Sequence, residues 1–225
     1  MTTPEPTRPT TSRDLMLIHM IISRAIEVTR QKGQEFLAGG FPDDRTRQGY
    51  HDYVHCLVSV LAAHHLAEDE VVFPQLGIRI PSAPYKLLSA DHQEITAILE
   101  DMGKSLDSFD GDGIKPAISS ILASLDQLRN MWYPHIGIEE SQFSEQNLNR
   151  VLSPEEQGAL SQQISRHSQA HISPDYLVIP FLLFNLPPLE RRLFAAGVPP
   201  VVTQQLVPYA WKEKWAPMKP FLLFE

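Results

Sequence analysis

Residues 57–74 read LVSVLAAHHLAEDEVVFP, and this stretch decides the fold. Leu57, Leu61, His64, Glu68 and Val71 recur at steps of three and four, which places them along one stripe of an α-helix. The stripe starts apolar and continues through an imidazole and a carboxylate, so the face turned to the core also carries His64 and Glu68. Residues four apart on a helix have Cβ atoms about 6 Å apart. The imidazole can therefore ligate one metal while the carboxylate reaches a second metal beside it. His65 and Asp69 repeat the spacing, but their stripe runs through Val58 and Ala62 and is less apolar, so His64 with Glu68 is the expected pair.

The pattern recurs on either side. Leu125, Leu128, Trp132, His135 and Glu139 form a stripe of the same kind. Leu88, His92, Ile95, Leu99 and Met102 form another, and Leu15, His19, Ile22 and Ile26 a fourth. Each of four helical segments thus sends one histidine inward, and two of them add a glutamate. A charged carboxylate in an apolar core is costly unless paired, and metal coordination is one of the few remedies. One inward histidine alone is usually a hydrogen-bonded core residue; the argument rests on six residues converging from four helices. His19, His64, Glu68, His92, His135 and Glu139 are therefore the expected metal ligands. Mixed imidazole and carboxylate ligation suits iron or manganese better than calcium, and the lack of thiolates argues against a structural zinc site.

The breakers between these stripes give the architecture. The first helix is expected over 13–32, with Ser12 as N-cap and Gly33 as stop. The second is expected over 44–72 and the third over 84–109, closed by Asp110, Gly111, Asp112 and Gly113. The fourth is expected over 115–148, with a kink at Pro134. Four long helices with short connections predict an all-α, antiparallel up-down four-helix bundle over 13–150. Residues 1–12, rich in Thr and Pro, are expected to be a disordered tail. Beyond 150 the chain becomes dense in proline while keeping Phe, Leu and Trp. The prediction for 151–225 is a helical, Pro-rich extension packed on the bundle. It opens with a helix capped by Ser153 that reaches about His167, and it includes a short helix over 188–196.

Composition narrows the function. The formal charge of −8 speaks against a nucleic-acid partner or an anionic membrane surface. A single cysteine, Cys56, excludes an intramolecular disulfide and any cysteine-based zinc or iron–sulfur cluster. No stretch of 18 uninterrupted apolar residues occurs, so a soluble, cytoplasmic protein is expected.

The motif from His64 through Glu68 to Phe73-Pro74, its echo from His135 through Glu139 to Phe143, Ser89-Ala-Asp-His92 and the His19 segment resemble the hemerythrin-like, or HHE cation-binding, family. The resemblance covers about residues 13–150 and matches in both spacing and helix order. It implies a non-haem di-iron centre, two iron ions bridged by an oxo or hydroxo group, with dioxygen or a related small diatomic as ligand. His19 and His64 would belong mainly to one iron and His92 and His135 to the other, with Glu68 and Glu139 bridging. The chain departs from the family's oxygen carriers at one point. These have a second histidine one turn from the first on the third helix, whereas the flanking positions here are Leu88 and Thr96. A site one imidazole short favours oxygen activation or redox sensing over simple carriage. Asp91, or His167 and His171 from the extension, are candidate substitutes.

Two functions follow. One is a di-iron oxidase or oxygenase acting on a small-molecule substrate. The other is a non-enzymatic binder or sensor of oxygen, nitric oxide or iron. A ferritin-like centre would need Glu-x-x-His on two helices, and no such pair lies on the inward stripes. Asp52 and Glu140 are candidate outer acceptors for ligand imidazoles. Trp132, Tyr53 and Tyr133 are candidate electron relays, with packing the simpler role.

Overall fold

In a computed structural model, which describes residues 10–224, the chain is all-helical, with no strand among the described residues. The expectation for residues 1–9 lies outside them. Four long helices carry the architecture: α1 (Thr11–Gly39), α2 (Asp44–Ala67), α4 (Tyr85–Asp107) and α5 (Ile114–Gln142). α1 packs on α2, α2 on α4, α4 on α5, and α5 returns to α1, so the four close around a shared interior.

Helix α1 begins earlier than its sequence suggests. Thr10 is the N-cap, its hydroxyl accepting from the Arg13 amide, and Thr11 and Ser12 are already helical and buried. It also runs past Gly33. Tyr50 of α2 donates its hydroxyl to the Thr29 carbonyl at 3.0 Å. A Cβ on Gly33 would stand 2.5 Å from that hydroxyl. The glycine marks a close helix–helix approach rather than a stop.

Helix α2 does not end at Val72. It continues through a π-helical turn, Glu68–Val72, into the short α3 (Phe73–Gly77). The Phe73 amide donates to the Glu68 carbonyl, five residues back. A π turn inserts one extra residue per turn and is frequent at functional sites. This one starts at an expected ligand.

Helix α5 stays continuous through Pro134 but stops at Gln142, short of the expected 148. Phe143 leaves the helical path and buries its ring beside Phe73 and Tyr85. The Asn147 side chain donates to the carbonyls of Ser141 and Gln142, closing the helix end. A separate helix α6 (Glu145–Val151) follows.

Ser153 and Glu156 form a reciprocal capping box that opens α7 (Pro154–His171). Then come α8 (Asp175–Phe184), α9 (Pro188–Ala195), a π-helical stretch Val202–Ala210, α10 (Lys212–Trp215) and a 3-10 stretch Ala216–Phe221. These elements pack on the bundle. Val178, Phe181, Trp215, Met218 and Phe221 join the interior of α1 and α2. At Gly49 the Pro217 carbonyl approaches α2 so closely that no Cβ would fit.

The interior is not one apolar mass. A large cluster runs from Leu17 and Ile22 through Leu57, Leu99 and Leu128 into the extension. A smaller one gathers Phe73, Leu76, Leu88, Phe143, Leu148, Leu152 and Leu160 at one end of the bundle. The inward histidines and glutamates belong to neither cluster.

Candidate metal centre

The structure brings all six expected residues together and adds a seventh. His65, Glu68, His92 and His135 offer one donor atom each within 4.8 Å of one another. So do His19, His64, Glu68 and Glu139. Glu68 belongs to both sets. Glu139 spans them as well, with Oε1 at 3.4 Å from His135 Nε2 and Oε2 at 3.3 Å from His19 Nε2. Glu68 Oε2 stands 3.5 Å from Nε2 of both His64 and His92.

The second long helix brings a further imidazole, His65, to the donor set of His92 and His135. His65 stacks on His92 with centroids 4.0 Å apart. Adjacent residues on a helix point about 100° apart, so His64 on the stripe and His65 beside it reach the two donor sets separately. His167 and His171 do not supply the ligand: His167 pairs with Glu70 at the surface, and His171 bonds the His167 backbone. Asp91 is not a donor to either set. It accepts from His135 Nδ1 at 3.2 Å.

That contact belongs to a pattern. His92 Nδ1 donates to Asp69 Oδ2 at 3.0 Å, and Ser89 Oγ holds the other Asp69 oxygen at 2.6 Å. His19 Nδ1 donates to Glu140 Oε1 at 3.0 Å. Three carboxylates thereby fix three imidazoles with Nε2 turned inward, the usual support for metal-binding histidines. Glu140 takes the outer role considered for it. Asp52 does not, since it accepts from Gln48 and lies beside His51. Trp132, fully buried, packs its ring against His19, His64, His65 and His135 and donates Nε1–H to Ser23. Tyr53 bonds Asn185 in the extension, and Tyr133 lies at the surface on Glu27.

The unmet polar groups test whether this chemistry fits a metal. His19 Nε2, His64 Nε2, both ring nitrogens of His65 and all four oxygens of Glu68 and Glu139 are buried without a hydrogen-bond partner. His92 and His135 each spend Nδ1–H on an aspartate, yet their Nε2 atoms face one another at 3.1 Å. Two such lone pairs repel unless a proton or a cation lies among them. Donors held about 2.1 Å from one ion stand roughly 3 Å apart, which is the spacing found. The residues fit metal cations.

The charges point the same way. Burial, reinforced by Glu139 and Asp69, pushes the Glu68 carboxyl well above its ordinary range. Burial also acts to raise Glu139, but the close imidazoles of His135 and His19 outweigh it and hold that carboxyl well below its usual value. Burial drives His64 and His65 well below the ordinary imidazole value. His19 and His135 move upward, because their carboxylate neighbours outweigh burial. The two carboxyls are thus pushed in opposite directions, Glu68 up by burial and Glu139 down by its imidazole neighbours.

A family model, the hemerythrin HHE cation-binding domain, matches residues 12–146. The chain belongs to this family, whose domains bind metal cations, typically iron. Comparison with curated proteins gives no match, and comparison with solved structures gives none. No helix among the described residues is long and apolar enough to cross a membrane.

Proposed function

We propose that this protein is a non-haem di-iron protein that binds dioxygen between its four long helices and activates it. The observation that carries the reading is the pair of buried four-residue donor sets sharing Glu68. In this reading His65, His92 and His135 serve one iron and His19 and His64 the other, with Glu68 and Glu139 bridging. The first set would offer an ion three imidazoles and the second two, so the second would leave more room for a small ligand. Two ferrous ions would supply the electrons that reduce bound dioxygen.

The protein's own residues do the rest. Asp69, Asp91 and Glu140 hold the Nδ1 protons and aim Nε2 inward. Trp132 and Phe73 keep water from the imidazoles, Phe73 stacking on His92 at 5.5 Å. Burial pushes the Glu68 carboxyl up, and a cation favours its deprotonated form, so metal binding is linked to proton release there.

A second reading, non-enzymatic binding or sensing of oxygen, nitric oxide or iron, also has an observation in its favour. His65 supplies the third imidazole whose absence argued for activation, and no residue of the donor sets is more than 8% exposed. Such a site admits a diatomic more readily than an organic substrate. A groove of about 660 Å³ lined by Phe36, Phe41, Arg47 and Lys115 lies away from the donors and does not serve them.

The deciding experiment is iron content per chain with absorption spectra of reduced protein exposed to air. Two irons and a charge-transfer band that vanishes on deoxygenation establish reversible binding. Two irons and a band that decays to a stable ferric spectrum establish activation. Protein that takes up no iron overturns both readings.

A further inference from the structure

The donors of the centre are at most 8% exposed, so an organic reductant finds almost no surface of them to touch. Electrons can still cross the gap if oxidisable side chains bridge it. Phe73 and Trp132 both lie against the imidazoles, but the benzene ring of Phe73 is hard to oxidise. Trp132 is fully buried, with centroid distances of 5.4 Å to His19, 6.2 Å to His64, 6.1 Å to His65 and 6.3 Å to His135. It therefore borders imidazoles of both donor sets. The next residue, Tyr133, is 40% exposed and donates its hydroxyl to Glu27 Oε1 at 2.9 Å. We propose that Trp132 and Tyr133 form an electron relay through which the buried centre oxidises small one-electron donors, phenols in class, at the surface. The inference rests on the oxygen-activating reading of the centre and gives that reading a substrate class.

Trp132 gives one electron to the oxidised centre and regains it from Tyr133 across a single peptide unit, a Cα separation of about 3.8 Å. The indole Nε1–H donates to Ser23 Oγ at 2.9 Å, so its proton has a fixed place throughout. Tyr133 releases its phenolic proton to Glu27 as its electron leaves, because an oxidised phenol is a strong acid. Arg129 Nε also donates to that Glu27 oxygen, at 2.6 Å, which holds the carboxylate beside the phenol. A phenol arriving at the surface then returns one electron and one proton to the Tyr133 oxygen and departs as a phenoxyl radical. Glu27 passes its proton to solvent. Dioxygen takes four electrons and four protons to become two waters, so four phenols are each oxidised by one electron.

Tyr53 has no part in the relay. Its ring meets Phe181 and Phe221, and its hydroxyl is engaged by Asn185. The path from the imidazoles to the surface runs through consecutive residues of one helix, α5. No pocket for an organic molecule beside the donors is required.

The test is freeze-quench electron paramagnetic resonance on full-length, iron-loaded protein, reduced and then mixed with air, beside the variants Tyr133→Phe and Trp132→Phe. Without a phenol present, the parent should give a tyrosyl radical whose signal narrows when the protein is grown on ring-deuterated tyrosine. Added 4-methoxyphenol should quench it. Both variants should lose the tyrosyl signal while keeping the parent's iron content and ferric spectrum. Tyr133→Phe changes an exposed side chain and decides alone should Trp132→Phe fail to fold. A parent without any organic radical, or a tyrosyl signal that survives in either variant, overturns the proposal. Protein that takes up no iron, or whose reduced iron is inert to air, fails instead at the reading of the centre, and the relay falls with it.

Discussion

Two regions of the interior bury polar side chains, and they treat them in opposite ways. Where the extension meets α1 and α2, Asn185 Oδ1 accepts from the Tyr53 hydroxyl at 2.6 Å and from Arg24. Its amide donates to the Phe181 carbonyl at 2.9 Å. Arg24 also reaches the Tyr53 hydroxyl and the Phe221 carbonyl. This network is satisfied, as buried polar groups ordinarily are. In the layer between the two apolar clusters, the inward atoms of His19, His64, His65, Glu68 and Glu139 have no such partners. A satisfied network holds the chain together, whereas an unsatisfied one is kept for something that binds.

The sharpest way to break this contrast is to remove one member from each region. Glu68→Gln should abolish metal binding while leaving the metal-free protein as stable as the parent or more so, because it removes a carboxyl that burial disfavours as an anion. Metal analysis and thermal melting check both halves; retention of two metal ions with an unchanged spectrum would sink the ligand assignment. Asn185→Ala should do the reverse, keeping the metal and losing stability. Leaving Tyr53 and Arg24 without their acceptor costs about 1–3 kcal/mol per group, readable by urea denaturation of metal-free protein.

A smaller effect is expected one step out from the donors. Asp69→Asn keeps the size of the side chain but weakens its hold on His92, and metal affinity should fall about 10–100-fold. Ser89→Ala should show a lesser version of the same loss. An affinity equal to the parent's would mean that Asp69 plays no part in aiming His92.

The gentlest perturbation is pH. Cations compete with protons held on Glu68, His19 and His135, all of which sit above their ordinary values. Ligands must be deprotonated to bind, so affinity should fall as pH drops through those raised values and level off above them. Cobalt titrations across a pH series, with proton release followed in weak buffer, would show it. A flat profile would mean that the donors are already deprotonated without metal.

Much of this was legible in the sequence, for a physical reason. Helical periodicity reports which face is buried, so His19, His64, Glu68, His92, His135 and Glu139 could be placed on inward stripes without coordinates. The same periodicity ranks a stripe by its apolar residues, so it sets aside His65, which lies beside the stripe. The flanks Leu88 and Thr96 signalled that an imidazole was wanted, and the doubled histidine at 64 and 65 was the clue to its source. The π turn could not be read, since its extra residue leaves no mark beyond the nearby Pro74. Nor could the end of α5, because Phe143 fits the helical pattern until its ring is seen to turn inward. The link between Arg24 and Asn185 joins residues 161 apart, beyond the reach of any local pattern.

The division of the interior by a polar layer bears on how the protein comes apart. Two apolar clusters that share no side chain can open separately, and the smaller, built largely from short helices, should open at lower free energy. Metal exchange would then be timed by brief local unfolding at one end of the molecule, with amides of α3 and α6 trading hydrogen for deuterium at the pace of metal release while the larger cluster stays shut.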